Sequence, residues 1–110
     1  MGYRIGLVIN PLAGIGGRLG YKGSDGAYAI RALLKGAKPI APERARRFIR
    51  RLKLPLEVLA PVGVMGVDSV SSVNPRVRLS PVECVGRRTW PTTAADTRRC
   101  VGEIRDQGVD

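Results

Sequence analysis

The first apolar run is Tyr3 to Ile9 (YRIGLVI), and it stops at Asn10-Pro11. A near-continuous apolar run suits a buried parallel strand, and proline, lacking an N–H, predicts its end. The period then changes. Over Gly26 to Lys35, Ala27, Ile30, Leu33 and Leu34 recur at helical spacing, with Ser24 or Asp25 to cap the start and Gly36 to end it. Pro42 to Lys53 predicts another helix, with Pro42 at its first position and Ala45, Phe48, Ile49 and Leu52 on one stripe among arginines. Leu56 to Ala60 reads as a short strand closed by Pro61. Val62 to Asn74 is rich in turn formers, and Val77 to Val85 contains a third strand interrupted by Pro81. Thr93 to Asp96 has the form of a variant capping box, opening a helix to about Gln107. Its inward face is expected from Ala94, Thr97, Val101 and Ile104, and its stop from Gly108.

This order predicts one α/β domain over residues 1–110, built on a parallel sheet. In such an alternation a strand should follow Gly108, and only Val109-Asp110 remains. The unit is therefore expected to be truncated before its next strand. A chain of 110 residues buries a single core. It has no apolar run long enough to cross a bilayer and no cleavable leader pattern, so a soluble, cytoplasmic protein with no membrane partner is expected.

Charge narrows the partners. The formal net charge is +10, and arginine far outnumbers lysine. Such a field favours anions, and arginine's planar fork suits phosphate. There are no histidines and only two cysteines, Cys84 and Cys100, which excludes a zinc-type metal site. One disulfide is arithmetically possible, but buried free thiols are the expectation for that pair, since disulfides are rare in the cytosol. Without histidine, acid–base work would fall to Asp or Glu.

The stretch after the first strand, INPLAGIGGRLGYKGSDG, concentrates the candidate chemistry. A strand, a glycine-rich turn and a helix start together make an anion site, because glycines let backbone N–H groups converge and the helix end adds positive potential. Gly14, Gly16 and Gly17 shape such a nest, with Gly20 and Gly23 extending it. Lys22 adds a mobile cation, and Asn10 can bond the loop or a ligand hydroxyl. Ser24 and Asp25 line the same stretch, although helix capping is the simpler role for both. The spacing matches neither the dinucleotide fingerprint, where Leu19 replaces the last glycine, nor the P-loop, where Tyr21 precedes Lys22. On residues alone, a tight loop without ligand and a phosphate site stand level.

The run Ile9 to Gly17, continued by Gly20 and by Lys22-Gly23-Ser24-Asp25-Gly26, resembles the opening of the ATP-NAD/acetoin-catabolism type kinases, within the superfamily of NAD kinases and diacylglycerol kinases. Shorter matches follow in order: Ala41 to Ala45, Gly63 to Gly66, and Thr92 to Thr97. The resemblance implies a Rossmann-like, three-layer nucleotide-binding unit and an ATP-dependent phosphotransferase acting on NAD or a related hydroxylated acceptor. ATP and Mg²⁺ are the implied cofactors. It places Asn10, Gly14, Gly16 and Gly17 beside the nucleotide phosphates, with Lys22, Ser24 and Asp25 lining the cleft. The superfamily's Gly-Gly-Asp-Gly-Thr segment is absent, so the catalytic residues are unknown and the isolated chain is expected to be inactive. Val67 also stands where an acidic residue is expected after Met65-Gly66.

A rival reading starts from the arginine helix. Arg44, Arg47 and Arg51 share one helical flank, and Arg46, Arg50 and Lys53 another. This face could serve a non-enzymatic basic module that binds nucleic acid or an acidic partner; a solvated face is the simpler explanation. The sequence ranks nucleic acid below nucleotide as a partner and leaves a homo-oligomer open.

Overall fold

A computed structural model describes residues 2–11, 40–84 and 94–110. Three strands, β1 (Tyr3–Gly6), β2 (Leu56–Pro61) and β3 (Val77–Val82), form one parallel sheet in that spatial order. Tyr3 lies opposite Leu56 and Gly6 opposite Leu59; Leu56 lies opposite Val77 and Pro61 opposite Val82. Parallel neighbours need crossover connections. The first contains helix α1 (Ala41–Arg51), and the second contains the one-turn helix α2 (Val67–Val70). Helix α3 (Ala94–Asp106) follows β3.

Alternation along the strands splits the core in two. On one face Ile9, Val58 and Ala60 pack with Ile49 of α1 and Val70 of α2. On the other, Leu59 and Val82 pack with Cys84, Cys100 and Ile104. Helices therefore cover both faces of the sheet, which is the α/β architecture expected. Gly6 allows α3 to come close: a Cβ there would stand 2.5 Å from Ile104 Cγ2.

Local chemistry explains the helix limits. Pro42 sits in the first turn of α1, where a missing N–H forfeits no helical bond. Glu43 in that turn, with Arg50 and Arg51 in the last, complements the helix dipole. The C-terminus of α1 is closed from outside: Asn74 Nδ2 donates to the carbonyls of Ile49 (2.8 Å) and Leu52 (2.7 Å). Asn74 Oδ1 accepts the Arg76 N–H at 3.0 Å, so this buried amide is well satisfied. Helix α3 ends at Gly108, whose φ of 86° is open to glycine and strained for other residues.

Several expectations need correction. β1 is shorter than Tyr3 to Ile9, although the Leu7 N–H still donates to Leu59 O (2.9 Å) and the Ile9 N–H to Met65 O (2.7 Å). The turn-rich segment from Val62 holds α2, too short to show a period. Pro81 does not interrupt β3: among the described residues β3 has β2 as its single strand neighbour, so the N position of Pro81 can turn outward. Phe48 leaves the predicted stripe and is 52% exposed, whereas Ile49 is buried. The inward face of α3 is rotated: Cys100 and Ile104 are buried and Val101 is 51% exposed. The cause is covalent. Cys84 and Cys100 form a disulfide with Cα atoms 5.0 Å apart, so they are not free thiols. The helix expected over Gly26 to Lys35 and the cap at Thr93 lie outside the described residues.

Candidate functional site

In an open parallel sheet, loops at the carboxyl ends of the strands carry ligands, most often where successive connections change face. The described elements contain such a change. α1 and α2 lie on one face, and α3, which follows β3, lies on the other. The chain then returns to the outer side of β1, where the Asp110 N–H donates to Arg4 O at 2.8 Å. β1 thus has β2 on one side and the returning chain on the other. Its carboxyl end leads through buried Ile9 to exposed Asn10 and buried Pro11, directly before the glycine-rich stretch.

Of the predicted site residues, Asn10 is the one within the described structure. It sits at that carboxyl end and is engaged in an interaction of its own. Gly14, Gly16, Gly17, Lys22, Ser24 and Asp25 lie outside the described residues.

The neighbouring turn after β2, Gly63 to Gly66, has a supporting role. Its Gly63 carbonyl accepts the N–H groups of Gly66 (3.2 Å) and Asp68 (3.1 Å), and the Gly66 carbonyl accepts that of Ser69 (3.0 Å). Those donors are consumed within the turn. Buried Met65 supplies the carbonyl that holds the Ile9 N–H. The turn therefore props the end of β1.

Carboxylates were the expected carriers of acid–base work. Asp96 lies in the first turn of α3, half-buried and already engaged, as a helix-start residue would be. Among the described residues no three His, Cys, Asp or Glu side chains gather into a metal site.

The most connected polar cluster lies at the opposite end of the sheet. Arg4 Nε donates to Glu57 Oε1 at 2.8 Å, and the Ser80 hydroxyl donates to Glu57 Oε2 at 2.6 Å. The Ser80 hydroxyl and then the Arg4 guanidinium hold the Glu57 carboxyl below the usual glutamate range. Arg4 Nη1 also donates to the carbonyls of Gln107 (3.0 Å) and Gly108 (2.7 Å), which directly follow α3. Both Glu57 oxygens are engaged, so the cluster reads as a clamp joining β1, β2, β3 and α3. Sequence reasoning passed over it, although Arg4 and Glu57 each stand second in an otherwise apolar run, a usable signal.

A cavity of about 490 Å³ runs between the outer edge of β1 and α3, lined by Ile5, Gly6, Val8, Val101 and Ile104. Its wall is mostly apolar, with Arg105 and Asp110 at its margin, and Asn10 is not part of it.

The chain matches no protein-family model, no curated protein and no solved structure. Among the described residues no helix is long and apolar enough to cross a membrane.

Proposed function

We propose that this chain supplies part of the ATP site of an NAD-kinase-like phosphotransferase, which transfers a phosphoryl group to NAD or a related hydroxylated acceptor. One observation carries the reading. The glycine-rich stretch leaves the carboxyl end of β1 at Asn10-Pro11, where the helical layers change from one face of the sheet to the other.

Phosphoryl transfer is mainly positioning and charge neutralisation, with Mg²⁺ bridging phosphate oxygens when nucleotide is bound. In this reading the amides of Gly14, Gly16 and Gly17 cradle the polyphosphate and Lys22 adds a cation. Asn10 orients the loop or a ligand hydroxyl. Ser24 and Asp25 start the following helix beside the same cleft. No residue of this chain is assigned a catalytic role. Placement in the cytoplasm belongs to the same proposal, and the Cys84–Cys100 bridge is the feature that opposes it, since disulfides persist chiefly in oxidising compartments.

Isothermal titration calorimetry with ATP-Mg²⁺ tests the proposal. Saturable binding that weakens at least tenfold in Gly16→Val supports it. The absence of heat at millimolar nucleotide, from a chain with a cooperative melt, rejects it.

A further inference from the structure

Beyond the nucleotide reading, we propose that the outward face of α1 binds single-stranded nucleic acid, with Phe48 as a stacking platform and flanking arginines on the phosphates. The helix buries Ile49 against the sheet and turns Arg44, Arg47 and Arg51 to solvent. Phe48 is four residues after Arg44 and three before Arg51, so on a helix it neighbours both. Phe48 is 52% exposed, and its flanking helix neighbours are cations. This face has the composition of a single-strand site: a π-face for a base and a fork for each adjacent phosphate.

The fold extends this face. Asn74 ties the segment before β3 to the last turn of α1, and its Oδ1 holds the N–H of exposed Arg76. The Arg76 backbone therefore lies near the C-terminal end of α1, although 25 positions separate it from Arg51 in the chain. The single acid on α1, Glu43, meets Arg47 at 3.4 Å in an exposed pair that a phosphate can displace.

Single strands fit better than the other polyanions. A duplex offers no open base face to Phe48. An anionic bilayer would need an apolar helix face to enter it, and here that face is committed to the core through Ile49.

Fluorescence anisotropy of the whole chain with a labelled oligothymidylate longer than about 16 nucleotides tests the proposal. Binding should be tighter than to a duplex of equal length. With Arg44, Arg47, Arg51 and Arg76 on phosphates, log K should fall against log salt with a slope of about −3. Phe48→Ala should weaken binding about tenfold or more, and Phe48→Trp should retain it with a change in emission on binding. Arg44→Glu/Arg47→Glu/Arg51→Glu should abolish it while the melting temperature stays close to the parent's.

Four results overturn the proposal. They are undiminished affinity in a folded Phe48→Ala chain, preference for duplex, no binding at low salt, and capture by phosphatidylserine–phosphatidylcholine vesicles without competition from the oligonucleotide. Should Phe48→Ala fail to fold, the Phe48→Trp emission decides: no change on saturation rejects stacking.

Discussion

Arg4 and Asp110 are joined twice through the backbone of β1: the Arg4 N–H donates to Asp110 Oδ2 at 2.7 Å, and the Asp110 N–H donates to Arg4 O at 2.8 Å. This pair brings the end of the α3 connection onto the outer side of β1. Read from the sequence, Val109-Asp110 offers no strand. In space Asp110 lies against the outer side of β1, held by one backbone and one side-chain bond to Arg4.

The Arg4 side chain does a related task, holding the Gln107 and Gly108 carbonyls just after α3 together with the Glu57 carboxylate. Arg4→Met keeps the aliphatic stem and removes three hydrogen bonds. It should cost on the order of 1–2 kcal/mol, because the lost bonds are charge-assisted but partly solvated. Urea denaturation measures this; a midpoint equal to the parent's would show that the clamp adds nothing.

Asn74 caps the C-terminal end of α1 from a buried position, donating to the Ile49 and Leu52 carbonyls and accepting the Arg76 N–H. Asn74→Ala leaves these groups without their partner and should destabilise the chain by about 2–3 kcal/mol. Asn74→Asp should not rescue it, since a carboxylate cannot donate to the Ile49 and Leu52 carbonyls. Thermal melts of the two variants check this, and full stability of either would refute the assignment.

Glu57 adds a pH dependence with a definite sign. Its carboxyl is held below the ordinary glutamate range in the fold, so the unfolded chain takes up a proton first as pH falls. The stabilisation is complete above the ordinary glutamate pKa and is lost as pH drops through the lowered folded value. The difference in melting temperature between the parent and Glu57→Gln should therefore shrink on acidification from neutral pH. A difference that grows towards acid would mean that Glu57 is not held in its charged form.

The disulfide ties the end of β3 to the buried side of α3 across a sequence separation of 16. Closing a loop of that length removes enough unfolded-chain entropy to be worth about 3 kcal/mol. Cys84→Ser/Cys100→Ser should lose about that much in chemical denaturation. Alkylation before and after reduction, read by mass, should show no free thiol in the native protein; two alkylated cysteines without reductant would contradict the bridge.

What the sequence revealed followed physical lines. Periodicity found α1, β2 and the extent of α3 within a residue or two, because each has a clear apolar face and a proline or glycine near its end. It misplaced Phe48 and Val101, because helical spacing marks a stripe without fixing its centre. In α3 the bond to Cys84 fixes the centre at Cys100. The short helix α2 carries too few residues to show a period. The Arg4–Glu57–Ser80 clamp was hidden because its members lie on three strands whose register the sequence does not state. At the candidate site, the proline after Asn10 marked the end of the pairing from β1, whereas the change of helical face beside it depends on where α3 packs.

On the proposed reading, the stretch that begins at Asn10 binds a nucleotide polyphosphate. Backbone amide NMR of the labelled chain, titrated with ATP-Mg²⁺, tests it most directly. Saturable shifts should concentrate at Asn10 and residues 12–25 while the amides of α1 between Arg44 and Arg51 stay nearly still. Shifts confined to the arginine face, or none at millimolar ATP-Mg²⁺, would contradict it.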